Sequence, residues 1–153
     1  MKKLFILFIC AAAFCACASV KGLHESAVNC KYNLAGVEVT DAGFTNVAMN
    51  VGMAVTNNSK TNTASMNRFE GRLFINDIDV SAVSFGAYEV LPSSTSVIKT
   101  TLNIPIANIG KNIAGLVAAN SISLNYKIVG KIYFDTPLGQ IPFPIVVEPQ
   151  IKK

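Results

Sequence analysis

Histidine is nearly absent from this 153-residue chain: His24 is the only one, and it stands beside Glu25 in a short polar stretch. A histidine that binds metal needs companion ligands, and one that serves a hydrolase must be fixed against a nucleophile. His24 has neither setting, and we read it as solvated. Charged residues are also scarce, at 14% of the chain, and the basic ones are scattered rather than gathered into a stripe. That excludes the electrostatic footprint of a nucleic-acid-binding protein. No glycine-rich phosphate loop and no zinc signature occurs. We therefore expect no catalytic residue, no metal site, no cofactor and no nucleic-acid partner, which describes a protein that is not an enzyme.

The chain does have apolar residues, 51% of the total. That is enough for one folded domain with its own core, without metal or disulfide staples. Its formal charge of +4 falls to +2 when Lys2 and Lys3 are removed, leaving 11 basic against 9 acidic residues. Their removal is expected because Met1-Lys2-Lys3 is a cationic start and Leu4 to Phe14 an apolar run too short to cross a bilayer, the pattern of a secretion signal. Phe14-Cys15-Ala16-Cys17-Ala18-Ser19 then resembles the bacterial lipobox, in which a cysteine after a small residue is lipidated and becomes the new N-terminus. Cys17, preceded by Ala16, fits better than Cys15, preceded by Phe14. The alternative is an ordinary signal peptide cut at an A-x-A-like site. On the lipobox reading residues 1–16 are the signal peptide, 17–27 the lipidated cysteine and its tether, and 28–153 the domain. The membrane is then a partner through the N-terminal lipid anchor, and the location is the bacterial cell envelope, as an outer-membrane lipoprotein.

With Cys17 acylated and Cys10 and Cys15 discarded, only Cys30 of the four cysteines remains, so no intramolecular disulfide can form. Cys30 shares a face with Val28, Tyr32 and Leu34 and is expected in the core. After Ala35-Gly36 the apolar parity flips to Val37 and Val39, which predicts a bulge in a first long strand. Phe44 to Thr56 forms the next, with Val47, Met49, Val51, Met53 and Val55 on a bulky face and Ala48, Asn50, Gly52 and Ala54 on a small one that another element could approach closely. A polar loop over 57–63 leads to a strand from Arg68 to Ile75. Asn76-Asp77 has the makings of a type I′ turn, with Ile78 to Phe85 returning. Asp77 and Asp79 are expected to serve turn chemistry rather than a metal. Leu91-Pro92-Ser93-Ser94 turns the chain into a strand running to Ile104. Pro105 then opens a helical spacing, Ile106, Ile109, Ile113, Leu116 and Val117, that predicts one short amphipathic helix ending near Asn120.

The organising stretch is Ser121 to Glu148. Ile122, Leu124, Tyr126, Ile128, Gly130, Ile132 and Phe134 alternate with polar residues, Thr136-Pro137-Leu138-Gly139 reverses the chain, and Ile141, Phe143, Ile145 and Val147 alternate on the way back. Pro142 and Pro144 lack N–H groups on the same side of the returning strand, so it must be an edge.

Short strands in this order indicate an all-β sandwich. They also resemble the late embryogenesis abundant type 2 family, or WHy domain. The matching pieces are Val55-Thr56-Asn57-Asn58, Gly71-Arg72-Leu73-Phe74-Ile75-Asn76-Asp77, Ile104-Pro105-Ile106, Tyr126-Lys127-Ile128-Val129-Gly130, Pro137-Leu138-Gly139 and Ile141-Pro142-Phe143. Asn58 stands where the family usually has Pro. The resemblance implies a fibronectin-III-like antiparallel β-sandwich with one short helix before the C-terminal hairpin, no catalytic residues, and a role in desiccation and stress tolerance or in interaction. The alternative is a periplasmic module for lipid or another apolar ligand, with Met49, Met53, Ile109 and Ile113 as its contacts.

Overall fold

The computed structural model describes residues 29–110, 124–136 and 139–149. Among them lie nine strands and one helical turn: β1 (Cys30–Ala42), β2 (Asn46–Asn57), β3 (Ala64–Met66), β4 (Arg68–Ile75), β5 (Ile78–Phe85), β6 (Tyr88–Val90), β7 (Thr95–Pro105), α1 (Ile106–Ile109), β8 (Tyr126–Thr136) and β9 (Gly139–Val147). They pair as a three-stranded sheet β1-β2-β7, a four-stranded sheet β5-β4-β8-β9, and a small ribbon β3-β6, all antiparallel.

The two larger sheets form a sandwich because each has one bulky apolar face to hide. Val47, Met49, Val51, Met53 and Val55 of β2 are fully buried, as are Phe69, Leu73 and Ile75 of β4 and Ile128 and Ile132 of β8. Burying each such side chain contributes about 1.5–3 kcal/mol relative to leaving it in water. The alternate residues of these strands face outward, which is the period-2 rule acting across both layers.

The bulge expected in β1 is present: its register against β2 shifts between Leu34 and Gly36. Cys30 and Leu34 are buried before the shift, and Val37 and Val39 pack on the core after it. A second shift follows between Val39 and Asp41. Asn76 and Asp77 have φ of 50° and 64°, the left-handed pair that a type I′ hairpin demands. β9 is an edge strand, with Pro142 opposite Tyr133 and Pro144 opposite Lys131. Beyond it Leu34 N donates to Glu148 O at 2.9 Å, and Leu34 bridges Pro149 in parallel. The end of the C-terminal hairpin is thereby fastened to the bulge of β1, joining the two sheets along that side.

The last hairpin strand opens at Tyr126, later than the alternation from Ile122 suggests. Tyr126 is where its partner β4 ends, opposite Ile75, and the chain before it turns aside: Asn76 N donates to Asn125 O at 2.8 Å and Asn125 N to Asn76 Oδ1 at 2.9 Å. Residues 137 and 138 of the expected turn lie outside the described part, although Thr136 pairs with Gly139 across it. The helix begins at Ile106 as expected and is described for one turn, after which Gly110 has φ of 71°. Its remainder to Asn120 lies outside the described residues. β2 opens at Asn46, leaving Phe44 fully exposed at the tip of the β1–β2 hairpin rather than in the strand.

At the centre of the four-stranded sheet Gly71 of β4 faces Gly130 of β8. The ring of Phe69 lies over this pair: a Cβ at Gly71 would meet Phe69 Cζ and Val129 O at 2.7 Å, and one at Gly130 would meet Phe69 Cζ at 2.5 Å and strike Glu70 O. The glycines make the space into which an aromatic ring is laid, and the ring returns the buried area that they lack. We expect Gly130→Ala to destabilise the domain by about 2–3 kcal/mol, since the obstruction includes backbone that cannot rotate away. Gly36→Ala, where nothing lies within 4 Å, should change stability little. Urea unfolding of the two variants checks the contrast.

Candidate functional site

The chain enters β1 at an end of the sandwich that one buried polar side chain holds together. Asn57, the last residue of β2, is 1% exposed. Its Nδ2 donates to Val90 O at 3.0 Å and Asn62 O at 2.8 Å, and its Oδ1 accepts from Ser59 N at 3.0 Å. Its backbone N–H donates to Ser94 O at 2.9 Å, and Asn58 N donates to Asn29 O at 3.0 Å. One amide therefore ties the 58–63 loop to the end of β6, while its neighbouring backbone takes in the 91–94 turn and the first described residue. The sequence pattern places 57–63 in a polar loop. The structure buries Asn57 instead, where its side chain joins carbonyls of β6 and of the loop.

Beside it lies a group of protonated side chains. The Tyr32 and Tyr88 hydroxyls are sealed from solvent, with no oxygen or nitrogen partner among the described residues. Burial pushes both phenols far above their ordinary range, and the neighbouring Cys30 thiol adds to the effect. Burial also pushes the Cys30 thiol up, against a smaller opposing contribution from the Tyr32 hydroxyl. A thiol held neutral is inert, so Cys30 is a core residue rather than a nucleophile.

Met49 and Met53 face the sealed interior between the sheets. The open depressions adjoin the other face of the same strand. A groove of about 460 Å³ is lined by Ala35, Gly36, Val37, Glu38, Asn50, Gly52, Val97 and Lys99. A second of about 680 Å³ passes over the β1 bulge to Tyr126 and Pro149. Neither is lined by Met49 or Met53. Backbone places Ile109 at the end of α1, while its side chain, Ile113 and the candidate lipidation site Cys17 lie outside the described residues.

No group of three His, Cys, Asp or Glu side chains that could hold a metal occurs among the described residues. Asp77 accepts from Lys127 Nζ at 2.8 Å, and Asp79 forms an ion pair with Arg72 at 2.9 Å. Arg68 pairs with Glu70 at 2.9 Å and stacks over the Tyr133 ring, 4.2 Å from its centroid. These are exposed pairs on the outer face of the four-stranded sheet, where solvent screening leaves them little weight. They engage the acidic residues that might otherwise suggest chemistry. No helix among the described residues is long and apolar enough to cross a membrane.

No family model and no curated protein matches the sequence. Solved structures do match the fold. A candidate late embryogenesis abundant (LEA) protein, At2g46140.1, superposes with a TM-score of 0.50 at 14% identity, over 99% of this chain and 88% of that one. The chain has a LEA-like fold. AT1g01470 from Arabidopsis thaliana agrees, with a TM-score of 0.51 at 15% identity, over 79% of this chain and 83% of that one. At these identities the likeness is one of fold.

Three variants test this end of the LEA-like domain. Asn57→Ala strands two carbonyls and an amide, and should cost about 2–3 kcal/mol by denaturant unfolding. Asn57→Asp should cost more at pH 7, because a carboxylate cannot donate to Val90 O or Asn62 O, and its deficit should shrink as falling pH protonates it. Tyr32 and Tyr88 set an alkaline limit. Above about pH 10 the unfolded chain releases phenolic protons that the folded one keeps, so stability falls with pH by up to about 1.4 kcal/mol per unit per tyrosine. A Tyr32→Phe/Tyr88→Phe variant should flatten that slope. A slope unchanged in the variant would assign the alkaline loss to other groups.

Proposed function

We propose that this protein is a non-enzymatic, lipid-anchored component of the bacterial cell envelope, whose LEA type 2 domain serves stress and desiccation protection or interaction. The observation that carries the reading is the LEA-like sandwich with its interior filled by its own side chains. Its polar groups support the same view: Asn57 is consumed in a loop clamp, and Asp77 and Asp79 in ion pairs. Among the described residues, what remains for function is surface, held in place by a scaffold.

The anchor rests on the cationic start, the apolar run and Cys17 after Ala16. Several acyl chains on one cysteine give stable attachment, at about 0.8 kcal/mol for each buried CH₂, where a single chain gives only marginal binding. The alternative of an apolar-ligand module would require Met49 and Met53 to leave the core or a ligand to enter it.

Deleting the gene should lower survival of drying and osmotic shock, restored by the intact chain. Survival equal to that of the parent strain under drying, osmotic and envelope stress would remove the protective role. Intact mass should show fatty acyl groups on the mature protein, lost in Cys17→Ser and retained in Cys15→Ser; retention in Cys17→Ser moves the anchor to Cys15. Native mass spectrometry of residues 18–153 in the absence of detergent should give the bare protein mass. A reproducible lipid-sized adduct, lost on Met53→Asp, would make the protein a carrier instead.

A further inference from the structure

The Asn57 end, where the described chain begins, bears on which way the domain faces, and this inference rests on the anchor at Cys17. From Cys17 to Asn29, the first described residue, the chain has 12 residue steps, which span at most about 43 Å whatever their conformation. β1 then carries the chain through 13 residues to the opposite end, a run of about 40 Å at a strand's rise. The tether can thus bring the far end, with the exposed Phe44, to the bilayer only if it is drawn out to nearly its whole length and laid along the domain. The near end reaches the bilayer with the tether in almost any form.

That near end carries an apolar tip. Leu91 is 66% exposed in the turn between β6 and β7. The turn is held rigidly: Ser94 Oγ donates to Leu91 O at 2.7 Å and Ser93 N to Ser59 O at 2.8 Å. Lys60 follows Ser59 in the loop so attached, Lys31 follows the first residue of β1, and both are exposed. An apolar side chain at the same end as two exposed lysines suits the boundary between headgroups and acyl chains, where the stem packs on lipid and the ammonium meets phosphate. Glu89 is exposed at the same end, so the match is to a headgroup layer containing both charges rather than to a purely anionic surface.

We propose that the end of the sandwich formed by the Leu91 turn and the Lys60 loop lies against the lipid surface, with the Phe44 hairpin pointing away from it. The chain contains no tryptophan, so single reporters are clean. Leu91→Trp and Phe44→Trp replace exposed side chains, and their circular dichroism should match the parent. Each full-length lipoprotein is placed in phosphatidylethanolamine–phosphatidylglycerol vesicles, with acylation verified by intact mass, and nitroxide-labelled lipid is added as quencher. Leu91→Trp should show blue-shifted emission and lose most of it, while Phe44→Trp keeps a water-like spectrum and its intensity. An acylated protein in which Phe44→Trp is quenched instead, or both or neither are, overturns the orientation and leaves the anchor standing. A mature protein without acyl groups overturns both.

Discussion

The ring of Phe69 over the Gly71–Gly130 pair is the constraint on which the rest of the packing depends. It sits where β4 and β8 meet, the central pairing of the four-stranded sheet, and the ring also packs on Phe85 of β5, with centroids 5.8 Å apart. Three strands are thereby indexed to one side chain. A slip of one residue in β8 would put a side chain where Gly130 now lies and turn the apolar row of Ile128 and Ile132 outward. Register and core composition are therefore one decision in this sheet. The opposite sheet then needs only to supply a bulky face, which β2 does.

Asn57 plays the corresponding part outside the sheets. Loops cannot bury backbone carbonyls without partners, and this end brings together β6, a polar loop, a turn and the start of β1. A short amide with two donors and an acceptor serves β6 and the loop at once, and the backbone N–H groups of Asn57 and Asn58 reach the turn and the residue before β1. Its satisfied geometry contrasts with the nearby Tyr32 and Tyr88 hydroxyls, which contribute aromatic volume and have no oxygen or nitrogen partner among the described residues. The first arrangement is specific to one residue type; the second tolerates phenylalanine.

Legibility in the sequence followed from how far each residue's role was local. Alternation along β2, β4, β8 and β9, the bulge at Ala35-Gly36 and the Asn76-Asp77 turn are written in runs of a few residues, and all appear in the structure. The prolines of β9 announce an edge because a missing N–H is a property of the residue itself. β3 and β6 were not legible, since three residues show no period and pair only through tertiary proximity. Nor was the burial of Asn57, whose partners are distant in the chain or set by a loop's shape. Phe69 was recognisable as a core residue, but that Gly71 and Gly130 face each other beneath it depends on the pairing of β4 with β8. As for the candidate contacts, the pattern identified Met49 and Met53 as a bulky face, and the structure assigns that face to the core while the small face opposite borders an open groove.

The edges of the sandwich bear on how each copy stays separate from the next. An unguarded strand edge pairs with the next molecule as concentration rises. β9 presents its outer side with Pro142 and Pro144, neither of which can donate to an added strand. β1 is interrupted by two register shifts, and near the first of them Leu34 N is already taken by Glu148 O. The long edges at this side of the molecule are thus broken at short intervals by features that cost β-structure its regularity. They keep each copy folded on itself, because a strand added from a neighbouring molecule would meet donors that are missing or already used along these edges.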